Sequence, residues 1–128
     1  TVELVRAVRD ALPDAPFVAA GGISTPEDVA AALEAGADGV QLGTVLLRTP
    51  EAGTGALHRA ALADPRFIES RPTRCYTGRY ARALVNGFVA GFDQVAPPAY
   101  PYLHVLTGPL RSAAAEAGDD DGPPLWAG

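Results

Sequence analysis

Lysine is absent from this 128-residue sequence; all ten basic residues are arginine. A Schiff base or an amine general base supplied by this chain is therefore excluded. Cysteine is nearly absent. Cys75 alone cannot form an internal disulfide or build a cysteine zinc site. That fits a reducing, intracellular setting, and a cytoplasmic location is expected. Histidine occurs only at His58 and His104, and neither stands at metal-ligand spacing from a cysteine, histidine or acid, so no metal site is expected. No apolar run approaches the roughly 18 residues of a membrane span, so no membrane partner is expected. Thr1 to Arg6 lacks the basic n-region and apolar h-region of a secretory signal. The chain opens on Thr1 rather than Met, and its true start is expected upstream. Positive charge is outweighed: the formal net charge of −5 argues against a general nucleic-acid binder.

What is present is concentrated between Phe17 and Leu47. The apolar run Phe17-Val18-Ala19-Ala20 ends in Gly21-Gly22. Ser24-Thr25-Pro26-Glu27-Asp28 then opens an alanine-rich helical pattern: a capping hydroxyl, a proline suited to the first turn, and two acids at the positive end of the dipole. Val29, Ala32 and Leu33 give its buried face, and Gly36 is its expected C-cap. A second apolar run, Val40-Gln41-Leu42, ends in Gly43-Thr44. This order of strand, glycine turn, helix, strand and glycine turn reads as a βαβ unit. Pro26 to Gly36 as helix spans roughly 16 Å at about 1.5 Å per residue. Asp38 to Leu42 as strand spans roughly the same at about 3.3 Å per residue. The two glycine turns are thus expected side by side at the carboxyl ends of parallel strands, where α/β folds bind ligands. Glycine removes the Cβ that would hold an oxygen ligand away from the backbone. Successive N–H groups before a helix favour a phosphate, and Thr44 adds a hydroxyl. Plain turn chemistry is the alternative for either turn taken singly. The coincidence of two favours the anion site.

The remaining chain frames this unit. Hydrophobic content is 48%. That suffices for a packed core, and the length suggests one domain at most. Val2 to Leu12 reads as an amphipathic helix stopped by Pro13 and Pro16. Val45 to Arg48 reads as a short helix, Thr49-Pro50-Glu51 as a helical restart, and Leu57 to Ala63 as a helix stopped by Asp64-Pro65. Arg66 to Arg82 holds half of the basic residues. Short strands are expected at Phe67-Ile68 and Cys75-Tyr76, and a helix from Tyr80 to Phe88. A proline-rich loop follows, then a helix from Leu103 to Ala117 with Gly108-Pro109 as a kink. Asp119 to Pro124 reads as a polar tail before Leu125-Trp126-Ala127-Gly128. Residues 1-65 are expected to form the βα units with the glycine turns, and residues 66-128 an extension.

Few side chains offer themselves for catalysis. His58, in an alanine-rich helix, reads as a surface residue, and His104 as part of a packed or half-exposed helix face with no acid to orient it. Cys75 sits between Arg74 and Arg79, which could lower its pKa; a structural role is the alternative. The arginines could meet a phosphate or an acidic substrate, or simply pair with Glu51, Asp64, Glu69 and Asp93. Arg79 is the best candidate for a ligand contact because Gly78 frees the adjoining backbone.

Three stretches resemble the nitronate monooxygenase (2-nitropropane dioxygenase) family of FMN-dependent (β/α)8 barrels. They are Val18-Ala19-Ala20-Gly21-Gly22-Ile23, the run Gly36-Ala37-Asp38-Gly39-Val40-Gln41-Leu42-Gly43-Thr44, and Thr77-Gly78-Arg79 through Ala81-Arg82 to Asn86. Pro109-Leu110-Arg111, the acidic tail and Leu125-Trp126-Ala127-Gly128 add a fourth, narrower likeness. The resemblance covers most of the chain and implies the C-terminal portion of an α/β TIM barrel plus a mostly helical extension. It implies FMN bound through Gly21, Gly22, Gln41, Leu42, Gly43 and Thr44. Gln41 stands where an amide can reach a flavin or its ribityl chain. It implies oxidation of a small-molecule substrate, an alkyl nitronate, by dioxygen. The family's catalytic histidine, in a Gly-Gly-His stretch, is expected upstream of this chain, so no catalytic residue is assigned here. Tyr80 departs from the proline expected after Thr77-Gly78-Arg79. The rival readings are a flavin-dependent enoyl-acyl-carrier-protein reductase and a non-redox phosphate-binding barrel enzyme. The oligomeric state is left open.

Overall fold

Phe17 to Gln41 form the βαβ unit that the glycine spacing predicts. The structure, a computed structural model, describes residues 1–128 and divides into two units, Thr1–Ala52 and Gly53–Gly128. The first unit runs α1 (Val2–Ala11), β1 (Val18–Ala20), α2 (Pro26–Glu34), β2 (Gly39–Gln41) and a 3-10 turn over Thr44–Arg48. α1 buries Val5 and ends before Pro13, which cannot continue it. α2 opens on a complete capping box: Asp28 N donates to Thr25 Oγ1 at 3.1 Å, and Asp28 Oδ2 accepts from Thr25 N at 2.9 Å. It closes at Ala35, followed by Gly36 at φ 109°. Glycine adopts that left-handed conformation without Cβ strain. β1 and β2 are parallel, with Ala20 opposite Gln41. Val5, Ala19, Ile23, Ala32, Ala35 and Ala37 form the core, with Val40 and Leu42 packed against it. Thr49-Pro50-Glu51 makes turns and no helix, because Gly53 and Gly55 follow before any helical register can build.

Arg9 ties this unit together. Its guanidinium donates to Gly36 O at 2.6 and 2.9 Å and to Asp38 Oδ2 at 2.7 Å, and lies 4.6 Å from the Phe17 ring centroid. The Phe17 amide donates to the same carboxylate at 3.0 Å. That amide, and then Arg9, hold the Asp38 carboxyl below the usual range. A depressed carboxyl contributes stability that is present above its unfolded value and lost as pH falls through the folded one. We therefore expect Asp38→Asn to flatten the acid limb of the stability curve below about pH 5, where carboxylates of unfolded chains begin to titrate. Urea midpoints from pH 7 to pH 3 test this. Parallel wild-type and variant curves would remove the ion pair from the account of acid unfolding.

The second unit departs further from the sequence reading. It contains α3 (Ala56–Ala61), β3 (Ser70–Thr73), β4 (Ala81–Leu84), α4 (Gly87–Phe92) and α5 (Tyr102–Ala117). α3 belongs here rather than with residues 1-65, because Ala61, Leu57 and Leu62 pack with Phe67, Leu84, Leu125 and Ala127. The strand expected at Phe67-Ile68 lies at Ser70–Thr73, and Cys75-Tyr76 is a turn. The helix expected from Tyr80 to Phe88 is an antiparallel partner of β3 followed by a separate helix. Asn86 divides them: extended at φ −107°, it accepts the Val89 amide on its side chain as the N-cap of α4. The segment that follows the expected polar tail is part of the core. Leu84 N donates to Leu125 O at 2.8 Å, Ala83 bridges Trp126, and Leu125 is 1% exposed. α5 keeps its helical path through Pro109 and ends on left-handed Gly118.

Tyr76 and Asn86 form the polar centre of this unit. The Tyr76 hydroxyl donates to Pro123 O at 3.0 Å and lies 2.9 Å from Asn86 Oδ1, and Asn86 Nδ2 donates to Asp120 O and Pro123 O. Phe88 stacks on Tyr76 at 4.9 Å and Trp126 meets it edge-on at 5.5 Å. Burial pushes the Tyr76 phenol well above its ordinary value, so it remains a neutral donor.

Candidate functional site

The parallel register decides where the two glycine turns lie. With Ala20 opposite Gln41, Gly21-Gly22 and Leu42-Gly43 leave the same end of adjacent strands. Gly21 and Gly22 both take positive φ, 86° and 65°. A β-branched residue resists that region. A Cβ built on Gly21 or Gly43 would meet nothing within 4 Å. The backbone there is open to a ligand and would be covered by any side chain. Gly22 is nearly as open, its only neighbour being Thr1 Oγ1 at 3.4 Å. Gln41 is exposed at the end of β2, whereas Leu42 turns its side chain into the core and offers only backbone. Thr44 opens the 3-10 turn after Gly43.

Two features of the site escape sequence reasoning. The Thr1 hydroxyl donates to Gly21 O at 2.7 Å and holds the first turn from the start of α1. No local pattern links residues so distant in the chain. The second concerns the N-terminus of α2. The Ser24 and Thr25 amides both donate to Asp28 Oδ2, and these bonds hold its carboxyl below the usual range. The helix N-terminus is thus already served by the chain's own carboxylate. The backbone that remains for an external anion is that of the glycine turns. The Thr-x-x-Asp spacing signals the cap, but not its competition with a ligand.

The side chains outside these turns have structural partners. His58 is half-buried rather than on the surface, with Nε2 2.8 Å from Trp126 O. His104 is exposed on α5, with Nδ1 3.2 Å from Arg111. Burial pushes the Cys75 thiol up, against a smaller lowering by the Thr73 hydroxyl, which makes it a poor nucleophile at neutral pH. Arg66 pairs with Asp64 at 2.7 Å and Asp120 at 2.6 Å, and Arg71 with Glu69 at 2.8 Å. Asp93 accepts from Thr73 at 2.6 Å instead of pairing with an arginine. Arg79 has no carboxylate partner and lies 4.6 Å from the Tyr100 ring centroid.

Parallel strands joined by a helix, with adjacent glycine turns at their carboxyl ends, place the first unit in the α/β class that binds ligands at that end of the sheet. The family model for nitronate monooxygenase matches residues 1–128. The chain belongs to the nitronate monooxygenase family. It is 41% identical to the nitronate monooxygenase of Pseudomonas aeruginosa PAO1, covering all of this chain and 37% of that protein. It is 33% identical to a probable nitronate monooxygenase of Staphylococcus aureus JH9, covering all of this chain and 36% of that one. Among solved structures it is similar to a nitroalkane oxidase from Streptomyces ansochromogenes, at 53% identity and a TM-score of 0.85, over 99% of this chain and 36% of the other. FabK from Thermotoga maritima shares the fold, at 23% identity and a TM-score of 0.74, over all of this chain and 41% of that one. The chain thus spans little more than a third of the length of its curated relatives.

Proposed function

We propose that this chain supplies the FMN-phosphate site of an alkyl nitronate-oxidising enzyme built on a (β/α)8 barrel. The carrying observation is the parallel register that brings Gly21-Gly22 beside Leu42-Gly43, in a chain matched to the family along its whole length. The turns fit the group: two positive-φ glycines and two positions where a Cβ would intrude on open space form a cradle for a phosphate. Gly21, Gly22, Leu42 and Gly43 would offer backbone amides, Thr44 its hydroxyl, and Gln41 its amide toward the flavin or ribityl chain. Bound FMN supplies the redox chemistry between the nitronate and dioxygen. The chain's own part is to orient that group by its phosphate end.

The sheet supports a larger barrel. Ala19 faces the helices, while Val18, on the opposite face, is 60% exposed and Ala20 and Gln41 are exposed beside it. Parallel sheets normally bury both faces, and two strands alone make a marginal sheet. The bare face and edges of β1 and β2 suit further barrel strands.

Full-length protein tests this reading. We expect a yellow protein that releases FMN on denaturation and consumes oxygen with an alkyl nitronate. The 128-residue chain with added FMN is expected to turn over no faster than free FMN. NAD(P)H-driven enoyl reduction without nitronate oxidation would instead favour the reductase reading. His58→Ala and His104→Ala are expected to leave kcat within about threefold, because neither imidazole is assigned to the chemistry. A loss of several hundredfold at either position, without unfolding, would make it the base.

A further inference from the structure

Thr1 stands at the N-cap of α1 without capping it. Its carbonyl accepts the Val5 amide at 3.0 Å, as an N-cap carbonyl does, but its hydroxyl makes no bond to the first turn of the helix. A threonine at this position ordinarily accepts one of the free amides there. Here the hydroxyl is a donor instead, to Gly21 O at 2.7 Å. The same oxygen lies 3.4 Å from where a Cβ on Gly22 would stand, so Thr1 touches the turn at both glycines. The helix that presents it is itself anchored to the βαβ unit. Val5 is buried in the core, and Arg9 is bonded to Gly36 O and Asp38.

Gly21 O and Gly22 N–H belong to one peptide unit. That unit is planar and trans, so its carbonyl and its N–H point in opposite directions. A bond from α1 to the carbonyl therefore turns the Gly22 N–H away from α1. That N–H has no acceptor among the chain's own atoms. Between two glycines such a plane is easily turned over, because each populates positive and negative φ about as readily. Gly21 and Gly22 nonetheless stand together at 86° and 65°.

We propose that Thr1 is a positioning residue for the flavin phosphate: its hydroxyl latches the Gly21-Gly22 peptide so that the Gly22 N–H is presented before the ligand arrives. The proposal rests on the FMN-phosphate reading of the glycine turns. Thr1 acts through the peptide and not by touching the phosphate. With the peptide already oriented, binding does not bear the cost of ordering it. The latch also gives the hydroxyl a reason to leave the cap of its own helix.

Full-length apoprotein titrated with FMN and with riboflavin tests the latch. Thr1→Val keeps the branched shape and removes the donor, whereas Thr1→Ser keeps the donor. Thr1→Val is expected to raise the dissociation constant of FMN about five- to tenfold, the effect of one neutral hydrogen bond, and that of riboflavin less than about twofold. Thr1→Ser is expected to stay within about twofold of wild type for both flavins. Because the hydroxyl caps nothing, the thermal midpoint of Thr1→Val without flavin is expected within about 2 °C of wild type. An FMN affinity unchanged by Thr1→Val overturns the latch. So does a Thr1→Ser variant that binds FMN as weakly as Thr1→Val. A lowered midpoint with equal losses of both flavins overturns it too, and makes Thr1 a structural residue only. In each of these cases a wild-type preference for FMN over riboflavin leaves the phosphate reading standing. Wild-type protein that binds FMN no better than riboflavin overturns that reading, and the latch with it.

Discussion

Gly22→Val should nearly abolish FMN retention by the full-length protein, whereas Thr44→Val should weaken it by about ten- to a hundredfold. The contrast follows from the two kinds of contact proposed. Gly22 sits at φ 65°. A β-branched residue there must move the backbone, and a valine would also project into the cradle. Both the amide geometry and the space for the phosphate are lost together. Thr44→Val keeps shape and removes one hydroxyl; a hydrogen bond to a charged group contributes about 1.5–3 kcal/mol. Riboflavin, which lacks the phosphate, should be almost indifferent to Thr44→Val. Dissociation constants of FMN and riboflavin for both variants provide the test. Equal losses for the two flavins with Thr44→Val would place this hydroxyl away from the phosphate.

Gly78→Ala should destabilise the protein by about 3 kcal/mol or more, while Gly91→Ala should be neutral or stabilising by up to about 1 kcal/mol. Gly78 stands at φ 85°, and an added Cβ would collide with Tyr100 N and come within 2.8 Å of Ala99 N. These are backbone atoms and cannot swing away. Gly91 lies within α4, has no positive φ, and would place its Cβ in open space. Urea midpoints of the two variants separate local strain from a general dislike of alanine. Similar midpoints would mean that the Ala99-Tyr100 loop yields easily, and that the Arg79 turn is not held as described.

The first unit is legible in the sequence because its determinants are local. A Thr-x-x-Asp box, a proline at the first helical position and glycines at both strand ends each act within a few residues. The second unit is not, because distant segments decide it. Ala81 to Leu84 has good helix formers, but Leu84 takes its amide partner from Leu125 and Val85 from Glu69, so the chain is drawn out as strand. The same nonlocal pairing makes Leu125 and Ala127, beyond the expected polar tail, part of the core. Of the candidate site, the glycines and Gln41 can be named from spacing alone. Thr1 cannot, because its bond to Gly21 crosses the whole of α1. Cys75 is ambiguous in sequence because neighbouring arginines suggest a lowered thiol pKa, and only the fold shows that burial raises it, with Thr73 rather than an arginine opposing.

The docking of Leu125 on Leu84 also has a consequence during synthesis. Ala61 and Leu84 leave the ribosome well before Leu125 and Ala127, which pack against them. At synthesis rates of about 5–20 residues per second, the gap between Leu84 and Leu125 lasts a few seconds. Until then one wall of that core is missing, whereas the βαβ unit has every core residue in hand by Leu42. The two cores of the chain therefore close at different times: the residues of the first are all present by Leu42, and the core around Leu84 stays open until the Leu125 segment arrives.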